Sequence, residues 1–168
     1  MSVLTILASA RPHGHAARLL TAILSGRPAH QLSLLDLTIR DYQYHREADG
    51  DDFLPLVHDM LRADRILLVT PVYWYAMSAP LKRLFDRFSD LITVRKDLGR
   101  RLAGRTLYLA ACGADPDLPD GFEVPFRSTA HYFDMAYGGA FYAVTTDQAG
   151  PSPASLEAAA RFGDNLFP

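Results

Sequence analysis

Arg65-Ile66-Leu67-Leu68-Val69-Thr70, followed by Pro71-Val72-Tyr73-Trp74-Tyr75-Ala76-Met77-Ser78-Ala79-Pro80-Leu81-Lys82, is the stretch on which the reading of this chain turns. After Arg65 the first half is a short, partly β-branched apolar run, the pattern of a strand buried on both faces. Residues 71–78 then read as a loop. Beyond it Leu81, Leu84, Phe85, Phe88 and Ile92 recur at helical spacing. Strand, loop and helix follow one another within thirty residues.

The same alternation extends in both directions. Upstream, Val3–Ala8 reads as a buried strand and residues 9–15 as a turn-rich stretch. Ala16, Leu19, Leu20, Ile23 and Leu24 then mark one face of a helix that Gly26 and Pro28 end. A second strand is expected over His30–Leu35 and a loop over residues 37–50. Asp52 is expected to cap a helix through Leu54, Val57, Met60 and Leu61, with Pro55 in its first turn. Downstream come a strand over Thr106–Cys112, a Gly, Asp and Pro-rich loop over 113–121, and a helix from about Val124 to Met135. The last strand, Tyr137–Thr146, carries Gly138-Gly139, where a bulge is expected, and Ser155–Phe162 closes the chain as a helix. Such alternation predicts an α/β fold, a doubly wound five-stranded parallel sheet with helices on both faces. Ligands of such sheets lie beyond the carboxyl ends of the strands, so loops 9–16, 71–78 and 112–122 are expected to share one site.

Composition narrows the function. The chain has 168 residues, 49% of them apolar and 21% charged, with a formal net charge of −2. One domain over residues 1–168 is expected, and disorder and nucleic-acid binding through bulk charge are excluded. No run of apolar residues is long enough for a membrane span, so no membrane partner is expected. The apolar run Val3–Ala8 has no basic region before it and is too short for a signal peptide, so none is expected, and the single cysteine, Cys112, allows neither an internal disulfide nor a cysteine-based zinc site. A cytoplasmic protein is the expectation. The histidines are scattered, and no metal site is expected.

The first loop reads as an anion cradle. It leads into a helix N-terminus, with unpaired N–H groups and the positive end of a dipole. Ser9 supplies a hydroxyl, Arg11 a forked cation, and Gly14 a tight turn. The pattern is neither G-x-G-x-x-G nor G-x-x-x-x-G-K-[ST], which argues against a dinucleotide fingerprint and against a triphosphatase. In the second loop Tyr73, Trp74 and Tyr75 leave a buried strand where a ligand is expected and could wall a flat ring. On periodicity alone they could equally cap the core. Cys112 reads as a small buried residue, and Asp86-Arg87 as an exposed or inter-subunit ion pair. Arg95, Lys96, Arg100 and Arg101 read as a solvated basic turn, with an anion such as a 2′-phosphate as the other reading.

Two segments carry a family resemblance. Ser9-Ala10-Arg11-Pro12-His13-Gly14 after the first strand resembles the phosphate loop of the NADPH-dependent FMN reductase family, within the flavodoxin-like fold. Thr70-Pro71-Val72-Tyr73-Trp74, continuing through Ser78-Ala79-Pro80-Leu81-Lys82 to Phe85-Asp86-Arg87, is similar to that family's second flavin loop and following helix. The resemblance covers roughly residues 2–147 and implies strand order 2-1-3-4-5. It implies non-covalent FMN, with its phosphate at Ser9, Arg11, His13, Gly14, His15 and Ala16. The ring would lie against Pro71, Val72, Tyr73, Trp74, Tyr75, Ala76 and Met77, with Cys112 and Gly113 on the other side. It further implies NADPH or NADH as co-substrate and ping-pong hydride transfer to a small-molecule acceptor: a quinone, a nitro or azo compound, or free flavin. No side chain is then needed as a catalytic acid, and the implied assembly is a homodimer or homotetramer with helix three near the interface. The chain departs from the family at His15 and Ala16, where Asn and then Ser or Thr are common, so one hydroxyl donor is missing and His15 is read as its replacement. Loop 113–121 is acidic and lacks the expected glycine-rich pattern. Two other readings stay open: a flavodoxin-type one-electron carrier, disfavoured by the net charge and the basic run, and a non-catalytic flavin-binding regulatory module.

Overall fold

The apolar run from Arg65 becomes the central strand of a parallel sheet. The computed structural model describes residues 1–44, 50–146 and 149–167. The chain runs β1 (Val3–Leu7), α1 (His15–Leu24), β2 (His30–Ser33), α2 (Phe53–Arg62), β3 (Arg65–Tyr73), β4 (Ala76–Met77) and α3 (Ala79–Arg87). It continues through α4 (Lys96–Arg100), β5 (Thr106–Gly113), α5 (Val124–Tyr132), β6 (Ala136–Val144) and α6 (Pro153–Gly163). Five strands lie parallel in the order β2-β1-β3-β5-β6, and β4 hangs antiparallel from β3. With β4 set aside, this is the expected 2-1-3-4-5 order.

Alternation along the strands divides the core. Ile66 and Leu68 of β3, with Leu107, Leu109 and Ala111 of β5, face Phe53, Leu56 and Met60 of α2, Leu81 and Leu84 of α3, and Phe126 of α5. Leu67, Val69, Tyr108, Ala110 and Cys112 face Leu19, Leu20 and Ile23 of α1 and Ala159 of α6. Burial on both faces is why these strands are largely apolar.

The expected loop over 71–78 is corrected. β3 continues to Tyr73, turns through Trp74-Tyr75, and pairs back with Val72 opposite Met77 and Tyr73 opposite Ala76. Both turn residues have positive φ, 50° and 62°, the requirement of a two-residue hairpin normally met by Asn-Gly. Pro71 is tolerated inside a central strand for a specific reason. The Ala8 N–H donates to Val69 O (2.7 Å), so Val69 faces β1, and Pro71, two residues on, faces the same side. β1 ends at Leu7, so no partner there needs the N–H that proline lacks.

Three further expectations change. Helix three stops at Arg87 and continues to Ile92 as a short 3-10 helix, and α4 forms within the basic run that was read as a turn. That run precedes the amino end of β5, at the opposite end of the strands from the three loops. Asp52 stands at the N-cap of α2, but its carboxylate accepts the Thr38 N–H (2.7 Å), while Asp51 accepts from Phe53 N–H (3.1 Å). Of the expected 37–50 loop, residues 45–49 lie outside the described residues.

Asp86-Arg87 is not an ion pair. Asp86 pairs with Lys82 one turn back, and Arg87 is 1% exposed. The Arg87 guanidinium donates to Asp90 (2.8 Å), to Asp51 and to Arg40 O (3.2 Å), and lies 4.4 Å from the Phe53 ring centroid. It therefore ties the chain after β2 to α3. The glycine pair does form an irregularity: the register between β5 and β6 shifts between Leu107 and Leu109, and a Cβ on Gly138 would overlap the Tyr108 ring. Among the described residues no helix is long and apolar enough to cross a membrane.

Candidate functional site

A cleft of about 250 Å³ opens beyond the carboxyl ends of β1, β3 and β5. Ser9, Arg11, Gly14, His15 and Ala16 form one wall, Pro71, Val72 and Tyr73 a second, and Cys112, Gly113 and Ala114 a third. Thr145 and Thr146, just past β6, complete it. The fold thus brings together ten of the residues singled out in the sequence. His13 lines an adjoining surface depression with Arg11, Pro12 and Arg18. Trp74, Tyr75, Ala76 and Met77 belong to the hairpin at the mouth: Trp74 is 93% exposed and Tyr75 69%, whereas Met77 turns toward the core.

Local hydrogen bonds shape the first wall. The Ser9 hydroxyl accepts the Arg11 N–H and faces the Arg11 carbonyl, both at 3.2 Å, and the Gly14 N–H donates to Arg11 O (3.3 Å). Gly14 is the N-cap of α1, no side chain caps the helix, and no acidic residue occupies its first turn. Among the described residues the amides of His15, Ala16 and Ala17 have no acceptor in the chain, and Arg11 has no carboxylate partner. A cation beside free helix amides is a donor set suited to a phosphate dianion. The His15 ring lies with its Nε2 3.0 Å from the carbonyl oxygen of Thr146, which lines the same cleft.

Buried hydroxyls pin the second wall. Ser78 is 1% exposed; its Oγ donates to Ala8 O (2.6 Å) and its N–H to Thr70 Oγ1 (3.2 Å). The base of the hairpin is thus fixed to the end of β1, leaving the aromatic tip in solvent. On the third wall a Cβ on Gly113 would come within 2.9 Å of Tyr142 Oη and 3.1 Å of Val72 Cβ, so a larger residue there would press on both. Tyr142 Oη donates to Asp115 O (2.9 Å), which holds the acidic loop beside the cleft. Burial, with the Asp115 carboxylate nearby, raises the Tyr142 hydroxyl above the usual phenol range. Burial likewise pushes the Cys112 thiol up to about 11, only partly offset by a hydrogen bond with Thr145, so Cys112 is protonated at neutral pH and is no nucleophile.

Sequence reasoning missed Thr145, Thr146 and Ser78. Nothing local marks the threonines, which reach the first loop only because β6 ends beside β5. Ser78 precedes an apolar helix as many caps do, and only the structure shows its hydroxyl bonded back to β1.

The model of the NADPH-dependent FMN reductase family matches residues 1–149. A protein of Bacillus subtilis (strain 168), named as an NAD(P)H-dependent FMN-containing oxidoreductase, YwqN, is 24% identical over 149 residues, 83% of this chain and 82% of its own length. In fold the chain is similar to the Trp repressor binding protein from Bacillus subtilis, with a TM-score of 0.76 and 21% identity over 96% of this chain and 97% of that one. It is also similar to an NADPH-quinone reductase from P. pentosaceus, with a TM-score of 0.71 and 17% identity, covering 100% and 98%. With the match spanning the three loops and the whole sheet, the chain belongs to the NADPH-dependent FMN reductase family, FMN-dependent NAD(P)H oxidoreductases on a flavodoxin-like fold.

Proposed function

We propose that the cleft holds FMN with its phosphate at Arg11 and the free amides of α1, and with its ring toward Pro71–Tyr73 and Gly113. The carrying observation is that one cleft joins an uncapped helix start bearing an unpaired arginine to a wall of strand backbone topped by aromatic side chains. When bound, FMN supplies hydride acceptance from NAD(P)H and onward reduction of a small acceptor. The protein contributes position and shielding. Arg11 and the helix amides anchor the phosphate, the hairpin base fixed by Ser78 keeps the second wall rigid, and Tyr73, Trp74 and Tyr75 offer stacking surface at the mouth. Protonated Cys112 takes no part. Quinones, nitro and azo compounds or free flavin are the acceptors that fit such a mouth.

The reading extends to a cytoplasmic homodimer or homotetramer assembled through α3. An open groove of about 730 Å³ between Asp41–Tyr44 and Lys82, Arg83 and Asp86 supports a partner on that face. The test of function is a titration of the protein with FMN, followed by NADPH without oxygen. Saturable binding and rapid loss of the flavin's visible absorption are expected. No binding at tens of micromolar overturns the reading.

A further inference from the structure

His15 and Ala16 stand next to each other at the start of α1, and His15 contacts one residue outside the loop, Thr146. Ala16 leaves the phosphate end of the cleft without a hydroxyl on α1. The Ser9 hydroxyl is turned onto the main chain of Arg11. Thr146 lines the same cleft from the far side of the sheet. Its hydroxyl accepts the Ala149 N–H (3.0 Å), and among the described residues the acceptor its own proton faces is Ala149 O, at a long 3.4 Å. A ligand oxygen at ordinary hydrogen-bond distance would compete with so long a contact for the Thr146 proton. The main chain at Thr146 is held by His15, whose Nε2 lies 3.0 Å from Thr146 O across a separation of 131 residues. Gly150 packs against the side chains of His15 and Arg18: a Cβ there would meet the Arg18 guanidinium first and then His15 Nδ1, at 3.0 Å.

We propose that Thr146 is a phosphate-binding residue, supplying from the end of β6 the hydroxyl that α1 lacks at Ala16, and that His15 is the positioning residue that holds it there. The proposal rests on the FMN reading above and adds to it a donor from a different strand.

The experiment compares FMN with riboflavin, which carries the same ring and ribityl chain without the phosphate, by flavin fluorescence on the apoprotein. T146V is expected to weaken FMN about tenfold, the scale of one hydrogen bond to a charged group, and to leave riboflavin within about twofold. T146S keeps the hydroxyl and is expected to bind FMN as the parent does. His15→Ala should reproduce the T146V pattern. Adding A16S to T146V places the hydroxyl back on α1 and should recover most of the lost FMN affinity. The proposal is overturned if T146V leaves FMN binding unchanged, if it weakens both flavins equally, or if A16S fails to restore it. Binding of neither flavin by the parent protein overturns the FMN reading itself and this one with it. Binding of both flavins with no discrimination in T146V overturns this one alone.

Discussion

Arg11 and Arg87 are the same residue type in opposite circumstances. Arg87 is sealed between α3 and the chain after β2, with Asp51, Asp90, the Arg40 carbonyl and the Phe53 ring around it. Arg11 stands at the rim of a cleft, with no carboxylate partner among the described residues, next to helix amides that also lack acceptors. A buried cation whose neighbours supply its counter-charge belongs to the architecture. A cation left unpaired beside uncapped amides has its counter-charge still to come. The difference separates what holds the molecule together from what the molecule is built to hold.

The largest expected effect comes from breaking the Arg87 side of this contrast. Arg87→Ala leaves Asp51 and Asp90 buried without their partner and should lower the unfolding free energy by about 3–5 kcal/mol, read from urea denaturation. A loss below about 1 kcal/mol would mean that water repairs the site, and the contrast would fail on that side. Arg11→Ala should do the reverse. Its urea midpoint stays at the parent value, while FMN binding weakens by about 1.5–3 kcal/mol in a fluorescence titration.

A third variant sharpens the contrast at the hairpin, where local strain serves the site. Replacing Trp74-Tyr75 by Asn-Gly gives the turn the residues its positive φ angles favour and should raise stability by about 1–2 kcal/mol, while removing the stacking surface. Unchanged stability together with unchanged acceptor range would show that the aromatics at the tip have no role in either.

The smallest effect is expected in acid. Burial alone would raise the Asp51 carboxyl, but the N–H groups of Arg40 and Phe53 and the Arg87 guanidinium outweigh it and hold the group below its usual value. A carboxyl depressed in the folded state stabilises above its unfolded pKa, and that contribution fades as the pH falls below about 4. Denaturation midpoints of the parent protein should therefore drop along that limb. The Arg87→Ala variant, having lost the guanidinium, should show a shallower slope.

The sheet was legible because strands buried on both faces must be largely apolar, and β1, β3 and β5 are, with threonine as the buried exception at Thr5 and Thr70. The hairpin was not, because Trp74-Tyr75 carries none of the usual turn residues and Pro71 reads as the end of a strand. α4 was hidden under its charges, which coexist with Leu98 buried in the core. Arg87 sits at a helix position that reads as surface, and only the fold brings Asp51 to it from 36 residues away. Of the candidate site, the loops were legible and their closure was not. Ser9, Arg11 and Gly14 are neighbours in sequence, whereas Thr146 arrives through the crossover that sets β6 beside β5.

Pro71 has one more consequence. Past Leu7 the chain leaves the sheet, and a strand in place of residues 9–13 could in principle zip onward along β3 and seal the crevice with main-chain hydrogen bonds. The first residue able to offer β3's next N–H on that side is a proline, so the ladder loses its next donor and Ala8 O is taken by the Ser78 hydroxyl instead. The crevice is thereby kept open by an absent hydrogen atom. An alternative in which the molecule fills its own opening is removed covalently, before any question of packing or charge arises.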